Sequence, residues 1–282
     1  MTLFRVLFRA GLVLALWVPP AAAQTSTAPP PASGQAQTQG TYEPKVGQAG
    51  KDVVWVPSPE ATVEKMLDVA KVTPQDYVVD LGSGDGRNVI AAARRGARAL
   101  GVEYNPDMVE LSKRNAQKAG VSDKASFVQG DMYEADFQQA SVLALFLLPD
   151  NLLKLRPKFS TLKPGTRIVA NTFGIEGWTA EETLSIQGDC TSWCTVLLYH
   201  VPAKVEGAWQ TPRGTLMLKQ EFQTISGTLG SAPVENSKIK GEELSFTAGG
   251  AEYSGRVNGN TITGTMKASG RETPWTATRA AM

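Results

Sequence analysis

Residues 78–87 read V-V-D-L-G-S-G-D-G-R. Gly82, Gly84 and Gly86 alternate directly after an apolar run, so a ligand can reach backbone that no side chain screens. Ser83 stands between the first two. Free N–H groups at the start of a following helix would attract an anionic group or a carboxylate. Asp80, at the end of the run, can accept hydrogen bonds from an ammonium or hold the loop. The spacing is G-x-G-x-G, which differs from the G-x-G-x-x-G of dinucleotide folds. Glu103 ends a second apolar run, where a carboxylate can accept both hydroxyls of a ribose. Gly130-Asp131-Met132 follows a third run, and an acid beside free N–H groups can read an adenine edge. Each stretch alone also reads as an ordinary turn or a solvated acid. Three of them at successive strand ends argue for one shared ligand.

The elements that must hold these residues alternate. Helix signals begin at Ser58-Pro59-Glu60, with Ser58 as a cap and Pro59 in the first turn. Strands are expected at 77–81, 97–102, 125–128, 141–147 and 167–172, and helices near 88–95, 106–120 and 150–162. Strands separated by such helices predict an α/β fold, a parallel sheet with helices on both faces. Ligands in such sheets bind beyond the carboxyl ends of the strands. Leu147-Leu148-Pro149-Asp150 forms a fourth strand end. Asp150 reads either as a helix cap or as an acid that draws in a cationic side chain. Trp55 and Tyr104 read as covers for a bound ligand or as core and rim aromatics. His200 lies in a late strand, T-V-L-L-Y-H-V-P, and reads as structural.

At this point the chain resembles a class I S-adenosylmethionine-dependent methyltransferase over about residues 52–202. Its D-L-G-S-G-D-G-R looks like that family's glycine motif, Glu103 like its ribose acid and Asp131 like its adenine acid. Leu162-Lys163-Pro164-Gly165 is similar to the turn before the fifth strand. The resemblance implies a Rossmann-like seven-stranded sheet and S-adenosylmethionine as cofactor. The residues it implies around that cofactor are Asp80, Gly82, Ser83, Gly84, Gly86, Glu103, Tyr104, Asp131 and Met132. A narrower resemblance rests on Trp55-Val56-Pro57-Ser58-Pro59-Glu60, the glycine motif and L-F-L-L-P-D at 145–150. These look like the small lysine methyltransferases that act on the ATP synthase c-subunit and the adenine nucleotide carrier. That resemblance implies a protein lysine as acceptor. Leu147, Leu148 and Pro149 would then wall an apolar slot, with the carbonyls of Leu148 and Pro149 orienting the amine and Asp150 as a candidate catalytic acid. An exported module that binds the nucleoside without turnover, and a small-molecule methyltransferase, are the alternatives.

Composition narrows the field. Lys+Arg number 28 and Asp+Glu 27, so no basic surplus favours nucleic acid. One histidine and two cysteines exclude a multi-histidine metal centre, and no metal is expected. Residues 1–23 combine Arg5 and Arg9, a short apolar run and Ala21-Ala22-Ala23, the parts of a secretory signal peptide. An exported protein, periplasmic or secreted, is the expectation, with membrane contact only through an uncleaved signal. Export conflicts with the cytoplasmic supply of S-adenosylmethionine. It also favours a disulfide between Cys190 and Cys194. Residues 24–50, rich in Pro, Gln, Ser and Thr, predict a disordered leader. The methyltransferase domain is expected over 51–203. From 204 to 282 period-two alternation and turns at Gly249-Gly250 and Asn258-Gly259-Asn260 predict a small antiparallel all-β module, a sandwich or open barrel.

Overall fold

The computed structural model describes residues 42–188 and 190–280. The expected signal peptide and the first part of the expected leader lie outside them. The described residues belong to one of two compact units of the chain, the one that runs from Thr41 to Met282.

Seven strands form the first sheet: β1 (Tyr77–Leu81), β2 (Arg98–Glu103), β3 (Ala125–Gln129), β4 (Val142–Leu145), β5 (Arg167–Asn171), β6 (Glu182–Ser185) and β7 (Thr195–His200). Their order is β3-β2-β1-β4-β5-β7-β6. The first five pair in parallel, and β7 runs antiparallel to both β5 and β6. The order turns at β1 and β4, which puts a cleft beyond their carboxyl ends. Period-two side chains divide the core. Val78, Ala144 and Val169 face a cluster with α1 (Glu60–Val69), α2 (Arg87–Arg94) and α3 (Pro106–Lys118). Val79, Leu143, Leu145 and Ile168 face the other side with α4 (Pro149–Phe159). Fully burying each such aliphatic side chain stabilises the fold by about 1.5–3 kcal/mol.

Local chemistry sets the helix starts. Asn105 caps α3 by accepting from the Asp107 N–H at 2.9 Å, with Pro106 behind it. Ser58, expected to cap α1, does not. The residue before α1 is Pro59, and the buried Ser58 hydroxyl instead accepts from Asn171 Nδ2 at 3.0 Å. Pro59 takes the N-cap position itself, one residue earlier than the first turn expected for it, and no side chain caps the helix. Strand β6 completes the seven strands that the resemblance implies, although no apolar pattern marks its position, because its polar residues leave it largely exposed at the sheet edge.

Residues 42–50, expected to end an unstructured leader, are not structureless. The Gly47 N–H donates to Trp55 O and the Trp55 N–H to Gln48 O, both at 2.9 Å, and Ala49 bridges Val54. This small hairpin closes through Gly50 N–H to Val53 O at 3.0 Å. Paired backbone replaces the apolar side chains whose scarcity suggested disorder.

The connection over 201–206 leads to nine further strands: β8 (Gly207–Thr211), β9 (Gly214–Glu221), β10 (Thr224–Leu229), β11 (Ala232–Pro233), β12 (Glu235–Lys240), β13 (Glu243–Ala248), β14 (Ala251–Asn258), β15 (Thr261–Ala268) and β16 (Arg271–Arg279). All pairings are antiparallel, in the order β11-β10-β9-β8-β16-β15-β14-β13-β12. The ends of this sheet approach each other. The Val234 N–H donates to Gly227 O at 2.9 Å, and the Ser237 hydroxyl to Ile225 O, so the sheet is nearly a barrel. Trp209 and Trp275 both lie inside it, their indole N–H groups on Val205 O and Ser254 O at 2.8 Å. The nearly closed sheet leans on the first one. Phe222 stacks on Trp178 at 4.9 Å, and Lys240 Nζ meets the Glu181 carboxylate at 3.0 Å. His200 Nδ1 meets the same carboxylate at 2.9 Å, a structural position as expected.

Candidate functional site

The carboxyl ends of β1, β2, β3 and β4 converge. Asp80 is the penultimate residue of β1 and is only 3 % exposed. Its Oδ2 accepts from Asn88 Nδ2 at 3.1 Å. Burial holds its carboxyl well above the usual carboxylate range; the Asn88 bond opposes this, and the Glu103 and Asp85 charges add to it. Asn88 Oδ1 and Ser83 Oγ beside it are buried without a partner in the protein. A buried acid and two orphaned oxygens are poor company for one another and good company for an ammonium.

The glycine loop is built for close packing. Gly84 has φ +56°, and a Cβ there would sit 2.7 Å from Trp55 Nε1. Gly86, at φ +85°, precedes α2 in the left-handed region, and a Cβ there would strike Phe127 at 2.8 Å. The N–H groups of the loop itself, ahead of the helix start, are engaged at four positions. Those of Gly82 and Ser83 donate to Val102 O at 2.8 and 3.1 Å, and that of Gly86 to Ser83 O at 2.9 Å. The Gly84 N–H donates to Glu103 Oε2 at 2.9 Å. A tight strand-to-helix turn satisfies its own donors, so the loop offers acids more than amides.

Glu103 ends β2, and its second oxygen accepts from the Asn105 N–H at 2.9 Å. Asp131 follows β3; Oδ1 accepts from the Tyr133 N–H at 2.8 Å and Oδ2 from Lys51 Nζ at 2.5 Å. The Lys51 hydrogen bond, then the Tyr133 N–H, hold the Asp131 carboxyl below its ordinary range. Lys51 also lies 5.2 Å from the centre of the Tyr104 ring, which is half exposed. Neither Lys51 nor its hairpin was singled out in the sequence, where the only hint is the turn pair Gly47 and Gly50. The hairpin forms one wall of the cleft; Gly82, Glu103, Tyr104, Asp131, Met132 and Phe146 line the rest, leaving about 90 Å³ free.

At the fourth strand end the expected slot residues are unequally enclosed. Leu147 is buried and would lie 3.4 Å from a Cβ on Gly82, whereas Leu148 and Pro149 are exposed. The Leu148 carbonyl accepts from the Asn151 and Leu152 N–H groups at 3.0 and 3.1 Å, so it cannot orient an amine. Pro149 is the first residue of α4, which puts the exposed Asp150 inside the first turn and not at the cap. Phe146 adds an apolar wall, lining both the main cleft and the adjoining one around Asp80, Gly84 and Asn88. Cys190 and Cys194 form the expected disulfide. Among the described residues no group of three or more His, Cys, Asp or Glu side chains is gathered to hold a metal ion.

A sheet of this order, with acids at three successive strand ends around two adjoining clefts, defines a class I methyltransferase fold. The model of the ANTKMT methyltransferase domain matches residues 80–182. A protein-lysine N-methyltransferase of Saccharolobus islandicus is 42 % identical over 150 residues, covering 52 % of this chain and 92 % of that protein. The mouse lysine N-methyltransferase of the ATP synthase c-subunit is 36 % identical over 66 % of this chain and 72 % of its own length. An RNA methyltransferase from Salinibacter ruber, solved with S-adenosylhomocysteine, is 43 % identical, covers 53 % of this chain and 96 % of its own, and superposes with a TM-score of 0.50. The chain belongs to this ANTKMT-type methyltransferase family and is an S-adenosylmethionine-dependent enzyme. The donor set fits that cofactor: a buried carboxylate with two orphaned oxygens suits its ammonium, and two further carboxylates suit its hydroxyls and amine edge.

Proposed function

We propose that the enzyme methylates the side-chain nitrogen of a protein lysine. The observation that carries this reading is the apolar wall of Phe146 beside the buried Asp80 and Asn88, in a chain 42 % identical to a lysine methyltransferase across 92 % of it. Asp80 binds the ammonium end of the cofactor, Glu103 its ribose hydroxyls, and Asp131 with the Met132 backbone its adenine edge, under Tyr104. When bound, S-adenosylmethionine supplies a methyl carbon on positively charged sulfur, a strong electrophile that needs no metal. The protein's part is to position the amine and keep it uncharged. An apolar wall penalises the lysine cation and so lowers its pKa, which frees the lone pair.

Tritiated-methyl labelling of whole-cell extract, followed by acid hydrolysis, tests the reading. Label is expected as methylated lysine. Label confined to RNA or to small metabolites would overturn the lysine assignment, and no label with tight cofactor binding would favour a nucleoside-binding module.

Lys51 occupies the carboxylate that this reading gives to adenine. Exposed ion pairs are weak, so Lys51→Ala should tighten S-adenosylhomocysteine binding by only about two- to fivefold. Calorimetry at low and high salt reads it: salt should tighten binding to the parent and leave the variant nearly unchanged. Weaker binding by the variant would instead make Lys51 a ligand contact.

A further inference from the structure

Three aromatic rings from three separate elements meet at the mouth of the cleft. Phe146 follows β4, Phe173 follows β5, and Trp193 lies in the loop before β7. Phe146 and Phe173 are near parallel at 6.2 Å between ring centres. Trp193 is tilted against both, at 5.6 and 5.8 Å. The trio joins the cofactor cleft through Phe146. Yet Trp193 remains 37 % exposed, so the cluster is not closed as a core would be.

The backbone beside the rings is held in unusual conformations. Trp193 has φ +58°, and Thr172, next to Phe173, has φ +64°. A bulky and a β-branched residue in the left-handed region are outliers that the surrounding structure must hold in place. Both are tied down. Trp193 sits within the ring closed by the Cys190–Cys194 disulfide, and its carbonyl accepts from the Thr62 hydroxyl at 3.1 Å. The Thr172 N–H donates to Thr195 O at 2.7 Å, and its hydroxyl to Asn171 Oδ1 at 2.9 Å. Two strained residues and a disulfide therefore hold a half-exposed indole against two phenyl rings beside a methyl-transfer site.

We propose that Phe146, Phe173 and Trp193 form a binding site for the methylated ammonium of the acceptor lysine once it has left the transfer slot, with the disulfide-held Trp193 setting the preference for a cation. This rests on the lysine reading above. Ring faces attract an ammonium within about 6 Å, most strongly at tryptophan.

The test uses the full chain, oxidised and saturated with S-adenosylhomocysteine. The probes are N-acetyl-trimethyllysine methylamide and its neutral isostere, with tert-butyl in place of trimethylammonium. The cation is expected to bind about tenfold tighter than the isostere. Trp193→Ala should bring that ratio near one, and Trp193→Phe should keep most of it. The Cys190→Ser/Cys194→Ser double variant should lower it. Unchanged affinity for S-adenosylhomocysteine in each variant shows that the cofactor cleft is intact. Equal binding of the two probes by the parent, or a cation preference untouched by Trp193→Ala, overturns the proposal. Failure of the lysine reading looks different: tritium outside protein with the cation preference intact refutes the acceptor and upholds the ammonium site.

Discussion

Asp80→Asn is expected to make the enzyme more stable at neutral pH and to weaken S-adenosylhomocysteine binding by about 10- to 150-fold, the worth of a hydrogen bond to a charged group. The two effects share one cause. Burial raises the folded-state pKa of Asp80 above its unfolded value. The fold thus favours the protonated acid, and that contribution is complete below the unfolded pKa of about 3.9 and lost as pH rises through the folded value. An amide has no proton to lose, so the variant's advantage in melting temperature should widen from about pH 4 upward and then level off. Cofactor affinity of the parent should rise with pH over the window in which free Asp80 still holds its proton, because binding an ammonium expels it. Calorimetry in two buffers of different ionisation enthalpy measures that proton release. A variant no more stable than the parent at any pH, with unchanged affinity, would remove Asp80 from the site.

Glu103→Ala should cost about 1–3 kcal/mol of cofactor binding, roughly five- to 150-fold. Its carboxylate does two jobs in the proposed site: it anchors the Gly84 and Asn105 N–H groups, and it faces the ribose. An analogue separates them. If the ribose contact dominates, the loss should be large with S-adenosylhomocysteine and small with its 2′,3′-dideoxy form. Equal loss with both would leave Glu103 as a loop anchor alone. Glu103→Gln keeps an acceptor for one N–H but turns an amide toward the other, so it should fall between parent and alanine.

The strand tips were legible because their signals are local. Asp80, Glu103 and Asp131 each end or follow an apolar run whose length and composition say strand; Glu103 and Asp131 line one cleft, and Asp80 lines the cleft that adjoins it. Residues whose roles depend on distant partners were not. Lys51 and Asp131 are 80 positions apart. The three aromatics come from three elements, so no spacing in the sequence joins them. Leu147 and Leu148 are adjacent and equally apolar, yet one is 2 % and the other 40 % exposed. Only the start of α4 at Pro149 decides which points inward, and that boundary lay one residue earlier than expected. The nearly closed second sheet was visible as alternation and turns. Its near closure depends on Val234 and Ser237 reaching Gly227 and Ile225, which alternation does not encode.

Lys51 and Trp55 belong to the same short hairpin, joined across its base by the paired N–H and carbonyl groups of Gly47, Gln48 and Trp55. One engages Asp131 and the other covers Gly84, so a single latch spans both halves of the cleft. A ligand group that displaces Lys51 from Asp131 acts on the same hairpin that carries Trp55. Adenosine and methionine offered as separate molecules should therefore promote one another's entry, a thermodynamic coupling that requires no change in the sheet beneath.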